Sequence, residues 1–233
     1  MVALRSDAAA PPAKASLVES AYDALKSAIR DNVFPPGYQG SEQEIATQLG
    51  MSRTPVHEAV IRLQEEGLVR VLPRRGVQVC AISPDDMREI YEVIVALECA
   101  SAELIAAMPP ERRAPIVEEL AAVNAAMEAA LAADKLVAWA EADGHFHQLL
   151  VERSGNRRLA RLFHTIMDQS HRARMLTLRL RPKPALSVRE HAGILRAIRT
   201  GDAAAARDRT KAHRVRARDQ LLPLLRQLGM NHL

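Results

Sequence analysis

The sequence predicts a mainly α-helical protein: an N-terminal winged helix-turn-helix joined to an all-α antiparallel helical bundle. Three observations predict it. Of 233 residues, 40 are Ala and seven are Phe, Tyr or Trp, a balance that suits helices and serves sheets poorly. Apolar residues recur at spacings of three and four over most of the chain. The strand-like runs are confined to one pair, around Pro73-Arg74-Arg75-Gly76. A chain of this length can form one large domain or two modest ones.

Composition excludes several classes. Cys80 and Cys99 stand far apart with no Cys-x-x-Cys pairing, so neither a disulfide scaffold nor a thiolate zinc site is expected, and a reducing cytoplasm is the simplest home. No run of about eighteen apolar residues predicts a membrane span. Arg5, Asp7 and Lys14 interrupt the Ala- and Pro-rich start, which reads as a loose tail over 1–16 rather than a secretory leader. The net charge of +4 is unevenly spread: residues 1–82 are neutral, 83–152 carry −10 and 153–233 carry +14. Either the basic third binds nucleic acid, or the two charged segments neutralise each other in one domain.

Leu17, Ala21, Leu25, Ala28 and Ile29 share one face of a first helix over 17–31, which ends before Phe34-Pro35-Pro36-Gly37. Ser41-x-x-Glu44 is a capping box that opens a second helix with Ile45, Ala46 and Leu49 inward. Gly50 closes it. Ser52 or Thr54 caps a third helix with Pro55 in its first turn, where a missing N–H costs nothing, and Gly67 ends it. Two short helices joined through glycine fit a helix-turn-helix, or equally any small helical hairpin. The runs 68–72 and 77–81 around the Pro73–Gly76 tip add a wing and favour the first reading.

The residues Pro36-Gly37, Ser41-Glu42-Gln43-Glu44-Ile45-Ala46, Met51-Ser52-Arg53-Thr54-Pro55-Val56, Glu66-Gly67-Leu68-Val69 and Arg75-Gly76-Val77 closely resemble the DNA-binding domain of the GntR family of bacterial transcriptional regulators, over about 17–82. The resemblance implies that the third helix enters the major groove of double-stranded operator DNA and that the wing approaches the minor groove. Arg53 can grip guanine O6 and N7 with both arms, and Arg74 and Arg75 can insert at the wing beside Gly76. Ser41, Ser52 and Thr54 are expected phosphate contacts. His57 stands where the family usually has arginine, so base preference there should differ.

Ser83-Pro84-Asp85-Asp86 opens a long helix to Pro109-Pro110, and helical stretches follow at 111–133, 135–154, 156–180, 186–200 and 202–228. No strand is expected, which makes this part an antiparallel bundle. Three of its apolar stripes hold residues unsuited to a plain core. Asp143 and His147 lie one turn apart with Leu136, Trp139, Ala140 and Leu150; His191 sits with Val188, Ile194, Leu195 and Ile198; His213 sits with Ala206, Thr210, Ala217 and Leu221. A buried carboxylate is costly unless paired or bound to metal. His191 lies ten residues before Gly201 and His213 eleven after Asp202, about 15 Å of helix each, so the two are level across a hairpin. One carboxylate and three imidazoles suit zinc or another first-row divalent ion. Buried histidines satisfied by Asp143 are the other reading, and His164 is a competitor.

Glu89-Ile90-Tyr91-Glu92 with Leu97-Glu98, Asp143-x-x-Phe146-His147, Ser154-Gly155-Asn156 and Glu190-His191-x-x-Ile194 with Gly201-Asp202 resemble the FCD ligand-binding domain of the FadR subfamily of GntR regulators, over about 83–228. The resemblance implies a metal held by Asp143, His147, His191 and His213, zinc first, with nickel or manganese as alternatives, and a small carboxylate or other metabolite beside it. The arginine often found in the first helix for an anionic effector is Ile94 here; Arg172 and Arg174 are the candidate effector-binding residues. The expected protein is a cytoplasmic regulator, in this family most often a repressor, working as a homodimer with no membrane partner and no catalytic residues. A metal sensor is the first alternative and a metal-dependent hydrolase the second. Residues 229–233 are expected to form a short tail.

Overall fold

The computed structural model describes residues 14–228. The tails expected at 1–16 and 229–233 lie outside that range, except that Lys14–Ser16 already belong to the first helix. The chain divides into two compact units, one holding residues 14–29 and 33–80, the other residues 30–32 and 81–228.

The N-terminal unit contains α1 (Lys14–Arg30), β1 (Gln39–Gly40), α2 (Glu42–Gln48), α3 (Arg53–Glu65), β2 (Val69–Leu72) and β3 (Gly76–Val79). Ser41 and Glu44 form the complete capping box at α2. Ser52 occupies the N-cap of α3 but makes no side-chain cap bond. Leu25, Ile29, Phe34, Ile45, Val56, Val60, Leu63 and Val77 build a closed apolar core. The strands form an antiparallel sheet in the order β1-β3-β2. β1 has only two residues and no apolar alternation, so periodicity does not reveal it.

The wing depends on two backbone conformations. Arg74 and Gly76 both have positive φ, +64° and +88°. A Cβ on Gly76 would lie 2.4 Å from the carbonyl oxygen of Gly40, so glycine is required both for the torsion and for the close approach of β1 to β3.

The C-terminal unit is helical throughout its described residues: α4 (Pro84–Ala106), α5 (Pro110–Ala132), α6 (Leu136–Glu152), α7 (Arg157–Thr177) followed by a 3-10 turn (Leu178–Leu180), α8 (Ala185–Thr200) and α9 (Ala203–Gln227). Ser83, Asn156 and Asp202 cap α4, α7 and α9 through their side chains. Gly201, at φ +76°, closes α8. Helix α4 packs along α9, and α5 packs against α6 and α8. Two apolar clusters result. Ala102, Ile105, Leu120, Trp139, Phe146, Leu150, Ile194, Ile198 and Ala206 belong to one; Met87, Ile94, Leu97, Val151, Phe163, Leu221 and Leu225 belong to the other. Along α4, buried Glu98 falls between them, and along α9, buried His213 and Arg214 do.

The acidic and basic segments meet in this unit. Glu98 pairs with Arg214, Asp143 with Arg174, Glu119 with Arg153 at 2.6 Å, Asp134 with Lys183 at 2.7 Å and Glu118 with Arg199 at 3.4 Å. The exposed pairs contribute little stability each, and the five together join five of the fourteen acids of 83–152 to five of the nineteen bases of 153–233.

Gly76→Ala should lower the stability of the N-terminal unit by about 1–3 kcal/mol, from the positive φ and the clash with Gly40 together. Hydrogen exchange across β2 and β3 would report it, and exchange at the parental rate would contradict this account of the wing.

Candidate metal centre

Four buried side chains from three helices converge. Helix α6 supplies Asp143 and His147 one turn apart, α8 supplies His191 and α9 supplies His213, and one ligand atom from each lies within 4.8 Å of all the others. His213 Nε2 is 3.1 Å from His191 Nε2 and 3.3 Å from His147 Nε2. Asp143 Oδ1 is 4.0 Å from His147 Nε2 and 3.9 Å from His191 Nε2. Nitrogens about 2.0–2.1 Å from a common tetrahedral ion would stand about 3.3 Å apart, so the spacing fits a zinc-sized cation.

The proton inventory supports the same conclusion. Glu190 Oε2 lies 2.7 Å from His213 Nδ1. An ionised carboxylate only accepts, so Nδ1 carries a proton, and in the neutral ring the lone pair is on Nε2. Glu98 Oε2 lies 3.0 Å from His147 Nδ1, close enough for charge contact though poorly aligned for a hydrogen bond, since that nitrogen has no aligned partner. It biases His147 to the same tautomer. With both rings in that tautomer, two lone pairs face each other across 3.3 Å, which a shared cation would relieve. His191 is held differently: its ring stacks on Phe146, with centroids 4.0 Å apart and planes 3° from parallel.

An outer layer fixes these ligands. Glu98 accepts from Arg214 Nε at 2.7 Å and Glu190 from Arg216 Nε at 2.6 Å, so each histidine-orienting carboxylate is itself held by an arginine. Arg174 donates to Asp143 Oδ2, leaving Oδ1 toward the histidines. Gly144 makes room for this contact, because a Cβ there would come within 2.9 Å of Arg174 Nη2.

Burial pushes the Asp143 carboxyl up, yet Arg174 and the neighbouring cationic groups outweigh it and hold it below the usual range. Burial likewise opposes ionisation of Glu190, but its bonds with His213 and Arg216 bring it down to about 2. Burial depresses His147 and His191 well below 6.5, helped by Arg214 and His213 respectively. Burial and Arg174 take His171 to about 3.

A narrow cleft, with room for about 40 Å³ of water-sized centres, adjoins the cluster. Tyr91, Trp139, Asp143, Arg174, Arg181, His213, Arg214 and Arg216 are among its lining residues. Asp143 is the one carboxylate among the described lining residues, against four arginines. Arg181 donates to the Arg174 carbonyl at 3.0 Å, and the buried Nε1–H of Trp139 has no hydrogen-bond partner. Of the two expected effector residues, Arg174 lines this cleft; Arg172 is buried and does not, since residues two apart on a helix face different sides. His164 is half exposed and faces Glu152 at 3.0 Å, outside the cluster.

In the N-terminal unit, Ser41, Ser52, Arg53, Thr54, His57, Arg74 and Arg75 are exposed and Gly76 is partly buried. Arg53 and His57 project from one face of α3, whose other face, Val56, Ala59, Val60 and Leu63, is core. Glu42 contacts both. Sequence reasoning missed Glu98, Glu190, Arg181, Arg214, Arg216 and Glu42 as contributors. A glutamate on the apolar stripe of α4 was the available signal for Glu98.

A winged helix-turn-helix in one chain with a helical unit that gathers a polar centre beside a cationic cleft defines a DNA-binding regulator with a ligand-binding domain. Comparison with known proteins identifies it further. The FCD domain matches residues 89–216, and the bacterial regulatory proteins of the gntR family match 17–79. The HTH-type transcriptional regulator in the TAR-I ttuE-ttuC' intergenic region of Agrobacterium vitis is 56% identical over 137 residues, covering 59% of this chain and 80% of that one. The transcriptional repressor RspR of Escherichia coli is 31% identical over 185 residues, 78% of this chain and 79% of its own. A GntR regulator from Rhodococcus sp. RHA1 has the same fold, with a TM-score of 0.72 and 24% identity over 89% of this chain and 98% of that one. The chain belongs to the GntR family of DNA-binding transcriptional regulators and carries an FCD effector-binding domain. None of its described helices is long and apolar enough to cross a membrane.

For the metal-free protein, a pH dependence follows. His147, His171 and His191 stay neutral when folded but take up protons below about 6.5 when unfolded, so the unfolded state binds more protons and stability falls as pH drops below that value. The melting temperature should fall by about 10 °C between pH 7.5 and 5.5. A flat profile over that range would contradict the buried, neutral assignment.

Proposed function

We propose that this protein is a FadR-subfamily repressor whose operator binding is set by a small carboxylate bound in the α6–α9 cleft beside a divalent metal. The observation that carries this reading is the convergence of four buried ligand atoms on the edge of an arginine-lined cleft. Asp143, His147, His191 and His213 hold the ion, zinc first by the nitrogen-rich donor set, with nickel or manganese as alternatives. An ion that takes six ligands, nickel or manganese, would supply a Lewis-acidic anchor for an anionic oxygen, whereas zinc held by all four residues would attract it by charge alone. Arg174 orients Asp143, and Trp139 Nε1–H and Arg181 are donors for the rest of the ligand. Three imidazoles and one carboxylate leave further positions open on an ion that prefers octahedral coordination.

On the DNA side, Arg53 reads guanine, His57 reads an adjoining position, Arg74, Arg75 and Gly76 form the wing contact, and Ser41, Ser52 and Thr54 hold phosphates. With residues 1–82 carrying no net charge, affinity rests on these placed groups and on two heads acting together. We therefore assign a homodimer on a two-fold operator, at work in the cytoplasm. An effector that prefers one arrangement of the heads by about 1–3 kcal/mol changes operator affinity about 5–150-fold.

His191→Ala should leave operator binding in place, lose stoichiometric metal by elemental analysis, and abolish the response to the small acid that shifts the parent in a screen. Parental metal content in that variant would refute the ligand set. A parent whose operator affinity tracks the metal alone, with no acid having any effect, would make it a metal sensor instead.

A further inference from the structure

The recognition helix presents its two base-reading candidates already engaged by a third residue. Arg53 Nε donates to Glu42 Oε2 at 3.2 Å, and His57 Nδ1 lies 2.7 Å from Glu42 Oε1. Glu42 is tucked in, its side chain 14% exposed, while those of Arg53 and His57 are 67% and 55% exposed. Helix capping does not explain it, because Glu44 rather than Glu42 closes the capping box. A carboxylate near a surface that must meet phosphate is unfavourable by itself. It is also ionised: burial raises it, but the bonds from His57 and Arg53 outweigh that and hold it below the usual range.

We propose that Glu42 is a positioning residue for operator recognition, holding Arg53 by Nε and His57 by Nδ1, so that Arg53 reads a base with its two terminal nitrogens and His57 reads with Nε2 alone. The inference rests on the DNA-reading role given to Arg53 and His57 above. The hydrogen-bond inventory carries it. With Nε engaged, arginine keeps both Nη groups for an end-on bidentate contact to guanine. An ionised carboxylate forces the proton onto His57 Nδ1, so one ring nitrogen remains outward, an acceptor in the neutral ring and a donor in the charged one. His57 therefore makes a single hydrogen bond where an arginine would make two. The operator should be sharply specified at the Arg53 base and shallowly at the His57 base.

The test uses a duplex selected from random DNA by the parent protein, a scrambled duplex, and single-base variants of the selected one, at one salt concentration. Glu42→Ala should lower the ratio of selected to scrambled affinity roughly tenfold, chiefly at the Arg53 base. Its affinity for scrambled DNA should equal or exceed the parent's, because a negative charge has gone, and its melting temperature should be parental. If Glu42→Ala melts early, Glu42→Gln, which keeps the size and loses the charge, must lower the ratio instead. A ratio that stays parental while Arg53→Ala lowers it overturns the role of Glu42 alone, as does an equal gain on both duplexes, which marks simple repulsion of phosphate. Parental ratios in both Arg53→Ala and His57→Ala would overturn the recognition surface itself.

Discussion

Three imidazoles and a carboxylate can share the dry interior of a helical unit only when every charge among them is answered, and the C-terminal half of this chain is organised around that requirement. Burial of unpaired charge costs several kcal/mol per group. Here the answers are nested. Asp143 is paired with Arg174, His147 faces Glu98, which is held by Arg214, and His213 faces Glu190, which is held by Arg216. Removal of one member leaves a buried partner uncompensated, so the layer is all-or-none in a way that an apolar core is not. It separates two apolar clusters along α4 and α9, which places a polar centre in the middle of the unit without emptying its core.

This layer also draws on the charge pattern of the chain. Part of the surplus of acid in 83–152 and of base in 153–233 is paired within one unit, where α4 and α6 supply the carboxylates Glu98 and Asp143 and α9 and α7 the guanidinium groups of the buried pairs. Under the proposed reading the DNA-reading unit relies instead on few cations placed by backbone geometry: Arg53 at the start of α3, Arg74 and Arg75 at a wing tip held by two positive-φ residues.

Most of the architecture was legible in the sequence because its signals are local. Caps at Ser41, Ser83, Asn156 and Asp202, the Gly201 turn and the three-and-four spacing of apolar residues fixed every helix to within a few residues. The level placement of His191 and His213 followed from counting residues to a tight turn, and the contact of 3.1 Å between them is the structural counterpart. What was illegible is long-range. Glu98 and Arg214 stand 116 residues apart, and Glu42 reaches a helix eleven residues on only because the turn between α2 and α3 brings it there. Strand β1 is set by its partner β3, not by its own two residues. Arg172 and Arg174 looked equivalent in sequence, and only the rotation of α7 separates the one that lines the cleft.

The central claim is that the polar layer exists to hold a divalent ion through Asp143, His147, His191 and His213. X-ray absorption on the full-length protein loaded with one equivalent of zinc tests it most directly. The account predicts an inner shell of three imidazole nitrogens and a carboxylate oxygen, at about 2.0–2.2 Å. A shell with fewer than three imidazoles, or failure to retain one equivalent of zinc, would contradict it.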